Sequence, residues 1–123
     1  MYNTFIVMNM SDHQPSRREN LAELFQLLGQ PTRIQILLAI GESEACVCHL
    51  EAVTGMRQAV ISQHLMLLRK ARLVTPNRAG RNIYYRLENH ALLELITTAA
   101  RALGIPPGKF DLHPDKKVPS CPC

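Results

Sequence analysis

The sequence predicts a mainly α protein with one small β-hairpin, a winged helix-turn-helix in the order ααααββα that associates as a dimer. Three observations predict it. Residues 46–70 carry two helical patterns separated by Gly55, which supplies a tight turn at low steric cost. After Lys70 the apolar period changes from that of a helix to that of a strand, and two short runs flank a polar turn. The last helical pattern carries Leu92, Leu93, Leu95, Ile96, Ala99, Ala100 and Leu103. That stripe is too broad for one small core, and it suits a helix covering its own domain on one side and a partner on the other.

In chain order, residues 1–16 form a weakly patterned arm. Ser16 is set to cap a helix from Arg17 or Arg18 to Leu28, and Glu19 completes a capping box. Leu21, Leu24, Phe25 and Leu28 are its apolar stripe, and Gly29 ends it. Pro31 opens the next helix, where its missing N–H is harmless; Ile34, Leu37 and Leu38 point inward and Gly41 closes it. Residues 42–45 read as a connector. The helix-turn-helix follows, its first helix over 46–54 and its second over 58–70. The second puts Ile61, Leu65 and Leu68 on one face, and Gln58, Ser62, Gln63 and Arg69 on another. Strands over 73–75 and 83–87 flank a turn at 77–82 whose tip carries Arg78 and Arg81, which makes the hairpin a wing. Asn89 caps the final helix, which runs to about Leu103, where Gly104 and then Pro106-Pro107-Gly108 stop it. The DNA-binding and dimerisation domain thus spans 17–103, and 104–123 is a flexible tail ending in Cys121-Pro122-Cys123.

A chain of 123 residues suits one domain that gains from dimerisation. No apolar run approaches the roughly 20 residues needed to cross a bilayer, and the amino terminus lacks the basic and long apolar regions of a secretory signal. The expected location is the cytoplasm, with no membrane partner. Charge is unevenly placed. Arg57, Arg69, Lys70, Arg72, Arg78, Arg81 and Arg86, half of the 14 Lys and Arg, fall between Ala52 and Leu87, an interval with no Asp or Glu. Such a segment is the footprint of a phosphate-facing surface. The four cysteines form two Cys-X-Cys pairs, Cys46/Cys48 and Cys121/Cys123. In a reducing compartment such pairs serve as metal ligands or redox sensors more often than as structural staples.

The segment Glu44-Ala45-Cys46-Val47-Cys48-His49-Leu50 resembles the metal-binding signature of the ArsR/SmtB-type winged-helix repressors. Ile61-Ser62-Gln63-His64-Leu65 with Leu67-Leu68-Arg69 resembles that family's recognition helix. Arg78-Ala79-Gly80-Arg81 with Tyr84-Tyr85-Arg86-Leu87 resembles its wing, and Gly29-Gln30-Pro31-Thr32-Arg33 fits the opening of its second helix. Together these cover residues 17–103. The resemblance implies a homodimeric repressor on palindromic operator DNA that is released when a metal or metalloid binds. Four departures stand out. Glu51 occupies the place of a third cysteine common in arsenic-type motifs. Asn89, His90, Ala91 and Ala102 do not make the zinc-type site of the last helix. Arg72 replaces a glycine usual after the recognition helix, at about 1 kcal/mol if that position requires positive φ. Arg57 stands where a capping Ser is common.

Side chains at i and i+2 lie about 200° apart on an ideal helix, so Cys46 and Cys48 can face one ion only where the helix start unwinds. Soft sulfur ligands favour thiophilic ions. As(III) and Sb(III) come first because the Cys-Val-Cys pair resembles arsenic-type sensors. Cd(II) and Pb(II) follow, then Zn(II) and Cu(I), and no organic cofactor is expected. A tail of some 20 residues reaches on the order of 25 Å, so Cys121 and Cys123 can complete a three- or four-thiolate site with Cys46 and Cys48. His49 beside the pair reads as solvent-facing. For DNA, Gln58, Ser62 and Gln63 are expected to read bases or the groove, Arg57, Arg78 and Arg81 to meet phosphates or the minor groove, and His64 to contact the backbone or to pack. The alternative is a thiol redox sensor on the same scaffold. An enzyme is not expected, since no nucleophile–base constellation or phosphate-cradling loop occurs.

Overall fold

The computed structural model describes residues 16–106; the arm before Ser16 and the tail sulfurs Cys121 and Cys123 lie outside the described residues. The chain divides between Gln30 and Pro31 into two compact units.

In the first unit, α1 (Arg17–Leu28) starts at the predicted capping box. Ser16 Oγ accepts from the Glu19 N–H at 3.1 Å, and Glu19 Oε1 accepts from the Ser16 N–H at 2.7 Å. Gly29 ends it, donating to the Gln26 carbonyl at 3.2 Å. Leu28 is buried and Leu24 half-buried, but Leu21 and Phe25 are 53% and 51% exposed. Half of the predicted stripe therefore stays uncovered in the single chain.

The second unit runs α2 (Pro31–Ile40), β1 (Glu44–Cys46), α3 (Val47–Thr54), α4 (Gln58–Lys70), β2 (Val74–Ala79), β3 (Asn82–Leu87) and α5 (Ala91–Ala102). The wing is a three-stranded antiparallel sheet in the order β1-β3-β2, not the two-stranded hairpin expected from sequence. The additional strand lies where the sequence predicts a connector and the start of a helix. Three residues are too few to show a period, and the partner strand is about forty residues away in sequence, so its ladder is invisible locally.

The core gathers Ile36, Leu37, Ala39 and Ile40 of α2, Leu50 of α3, and Ile61, Leu65 and Leu68 of α4. Val74 and Leu87 of the sheet and Leu92, Ile96 and Ala100 of α5 complete it. The α4 face is the one the periodicity selected. On α2 it is rotated: Ile34 and Leu38 are only half-buried, because apolar residues at 34, 36, 37, 38 and 40 leave no single face preferred. The α5 stripe is split. Leu92, Ile96 and Ala100 face inward, while Ala99 and Leu103 are exposed, Leu103 by 78%. The N-cap of α5 is His90, which makes no side-chain cap, and not the predicted Asn89; Asn89 stands one position earlier, its Oδ1 accepting from the Ala91 N–H at 2.9 Å.

Helix α4 ends in a Schellman motif: the Leu73 N–H reaches the Leu68 carbonyl and the Arg72 N–H the Arg69 carbonyl, each at 2.9 Å. Arg72 has φ of +64°, the left-handed region that the missing glycine would have entered freely. Among the described residues no helix is long and apolar enough to cross a membrane.

Candidate functional site

The reading head is built by α3, a tight turn and α4. Gly55 closes α3 at φ +76°, its N–H donating to the Glu51 carbonyl at 2.8 Å. Thr54 braces the turn: its hydroxyl donates to the Leu50 carbonyl at 2.6 Å and accepts from the Met56 N–H at 3.2 Å. With Ile61, Leu65 and Leu68 buried, α4 presents Gln58 and Gln63 fully outward, and Ser62 half-buried at the edge. Arg57 is its exposed N-cap residue and, as the sequence implied, makes no side-chain cap. Ala59, Val60 and Met66 share the exposed surface of α4, apolar groups of the kind that meet thymine methyls. The helical wheel alone would have found them.

His64 is half-buried on α4, and its Nδ1 accepts from Arg33 Nε of α2 at 3.2 Å. Burial, and after it the Arg33 charge, hold its pKa below the usual 6.5. On the wing, Ala79 pairs with Asn82, so the turn is only Gly80 and Arg81, tighter than the predicted 77–82. Arg81 sits at that tip. Arg78 is one pair back along β2, opposite Ile83, and both arginines are exposed. Arg86 departs from the cationic surface: it opens onto a cavity of about 660 Å³ shared with Glu42, Glu44 and Glu88. The acid-free interval ends at Leu87, so Glu88 is only two positions away, and the fold adds Glu42 and Glu44 from about forty residues upstream.

Cys46 is the last residue of β1 and the residue before α3, extended at φ −90° and ψ 169°. Cys48 is in the first turn of α3. The pair straddles a strand–helix junction, so the separation of two residues on an ideal helix does not apply to it. Cys46 is buried, 3% exposed, and Cys48 is half-buried. Both sulfurs are disulfide-bonded. Among the described residues no third His, Cys, Asp or Glu joins them in a group able to hold a metal ion. A thiophilic ion would thus find two sulfur donors here once they are reduced, and would take its remaining donors from elsewhere. His49 is not solvent-facing as the sequence suggested: it is 9% exposed, and its Nδ1 has no hydrogen-bond partner.

Cys46 is also tied to the wing, standing opposite Tyr84 in the β1–β3 ladder. One residue thus adjoins both the helix-turn-helix and the central wing strand.

Residues 30–75 match the model of the bacterial regulatory protein arsR family. The repressor SmtB of Mycobacterium tuberculosis is 39% identical over 93 residues, which cover 73% of this chain and 69% of the relative. The arsenical resistance operon repressor of Escherichia coli is 39% identical over 69 residues, covering 55% of this chain and 59% of that protein. The crystal structure of Rv0081 from Mycobacterium tuberculosis superposes with a TM-score of 0.64 at 30% identity, over 74% of this chain and 92% of that one. From the winged fold, the reading head and these relatives together, the chain belongs to the arsR family of bacterial regulatory proteins, which are DNA-binding transcriptional regulators and not enzymes.

Proposed function

We propose that the chain is a cytoplasmic homodimeric repressor that releases its operator when a thiophilic ion binds Cys46 and Cys48, with Cys121 and Cys123 supplying the remaining sulfurs. As(III) or Sb(III) is the preferred inducer, then Cd(II) or Pb(II), then Zn(II). The observation that carries this is the position of Cys46 at the junction of β1 and α3, opposite Tyr84 of β3. A ligand that redirects this residue strains the first helix of the reading head and the wing together. The ion would supply strong bonds to thiolate sulfur; the chain supplies the lever. The uncovered Leu21 and Phe25 of α1 and Leu103 beyond α5 support a second copy as the cover for these apolar surfaces.

The test is a titration. A duplex selected from a randomised pool by the reduced protein is challenged with arsenite, antimonite, cadmium, lead and zinc. A coupling of the usual 1–3 kcal/mol loosens binding roughly 5- to 150-fold. Cys46→Ser or Cys48→Ser should abolish release while leaving metal-free binding within about twofold. Retention of release in both variants would place the sensor elsewhere.

A second reading is favoured by the disulfide state of both sulfurs: oxidation, not metal, as the signal. It predicts release by an oxidant in the presence of chelator, and none by arsenite under reducing conditions.

A further inference from the structure

Arg33 has no role in the proposed function, yet it touches the DNA-reading helix. It lies in the first turn of α2, and its Nε–H donates to His64 Nδ1 of α4 at 3.2 Å. An arginine Nε can only donate, so Nδ1 of that imidazole carries no proton. A neutral ring must then hold its proton on Nε2. The free imidazole would exchange between tautomers; here the guanidinium selects one. Partial burial and, after it, the neighbouring cation oppose a second proton on the ring.

We infer that Arg33 is a positioning residue for DNA binding, fixing His64 as a neutral Nε2–H donor to a backbone phosphate. This rests on the DNA-binding reading above. It also joins α2 to the reading head through a bond whose loss changes what α4 offers to DNA. The contact is a neutral one, which separates it from the arginines of the wing. A neutral donor adds a hydrogen bond without releasing a counterion, so it strengthens binding without steepening the salt dependence.

Two isosteres divide the ring's functions. His64→Gln places an amide N–H near the Nε2 position and gives up the Nδ1 acceptor. His64→Asn keeps an acceptor near Nδ1 for Arg33 and gives up the Nε2 donor. The measurement is binding of the full-length reduced protein to a fluorescent mixed-sequence duplex across a salt series, since a phosphate contact is independent of sequence. Imidazole nitrogen NMR on the free protein accompanies it. The expected results are a ring with unprotonated Nδ1 and protonated Nε2 in the wild type, and a mixture of tautomers in Arg33→Lys. His64→Asn should weaken binding roughly threefold to tenfold at every salt concentration, with the slope unchanged. Gln should restore most of that loss, and Arg33→Lys should have no further effect in the Gln background.

Rescue by Asn and not by Gln would show that the bond only tethers α2 to α4, and would overturn the inference. A slope reduced by about one in His64→Asn would show an imidazolium paired with phosphate, and would overturn it equally. If the wild type binds the duplex and its spectrum shows the other tautomer, this inference alone fails. If the wild type binds no DNA at any salt, the functional reading fails and takes the phosphate contact with it.

Discussion

Replacing Arg72 by glycine should stabilise the protein. Arg72 is held at φ +64° by the Schellman motif that ends α4, and its side chain is exposed. An L-residue in this region costs about 1–2 kcal/mol relative to one without a Cβ. Glycine gives back about 0.4–1 kcal/mol of that through the greater freedom of the unfolded chain. The arginine charge just past a helix C-terminus is itself worth about 0.3–1 kcal/mol, most of it screened at an exposed site. The net gain for Arg72→Gly is thus about 0.5–1 kcal/mol, a rise of roughly 2–8 °C in Tm for a domain of this size. Arg72→Ala is the control, because it removes the charge and keeps the strained backbone; it should be neutral or slightly destabilising. Both variants are compared with the wild type by urea and thermal unfolding at one fixed protomer concentration, since a dimer's midpoint moves with concentration. If glycine proves no more stable than alanine at this position, the left-handed backbone is not a source of strain and the reasoning fails.

Three further outcomes are expected. Arg57→Ser should add the missing side-chain cap to α4 and stabilise the fold by about 1 kcal/mol in urea unfolding, while weakening DNA binding if Arg57 meets phosphate. Arg81→Ala at the wing tip should weaken binding to all sequences alike and lower the salt slope by about one; a changed sequence preference at constant slope would contradict a phosphate contact. His64 titrates below 6.5 in the folded chain, so as the pH falls past 6.5 the unfolded state takes up the proton first. Its contribution to stability is present above 6.5 and is lost on acidification through the lower folded value. Urea midpoints should therefore fall more steeply between pH 7.5 and 5.5 in the wild type than in His64→Gln.

What the sequence disclosed was what short-range chemistry determines. The capping box at Ser16, the core face of α4 and the left-handed backbone at Arg72 each depend on residues within one or two turns, and each appears in the structure; the cap of the last helix lies one residue later than the sequence predicts, at His90 and not Asn89. What it concealed depends on distant partners. Strand β1 exists through its ladder with β3, the burial of His49 through the packing of α3 in the second unit, and the role of Arg33 through a side chain 31 positions away. The buried face of α2 was hidden for another reason, an excess of apolar residues that made every rotation look acceptable. Of the candidate sulfur site, the sequence located Cys46 and Cys48 but not their junction; the contribution of Cys121 and Cys123 lies outside the described residues. Arg86 shows the reverse error, since an acid-free stretch of sequence is not an acid-free surface.

The third strand would set the energy scale of the proposed signal. It is an edge strand with three paired residues and one neighbour, whereas β3 is flanked on both sides and β2 pairs over six positions. At about 1 kcal/mol net per backbone bond, its ladder contributes only a few kcal/mol, the same order as ordinary allosteric coupling, with the burial of Ala45 and Cys46 added to it. Under the proposed function, chemistry at its final residue would pull on the shortest ladder of the sheet, and the amides of Glu44–Cys46 should exchange with solvent before any others in the ladder. A detector built on a longer strand would need a far tighter-binding signal to be heard.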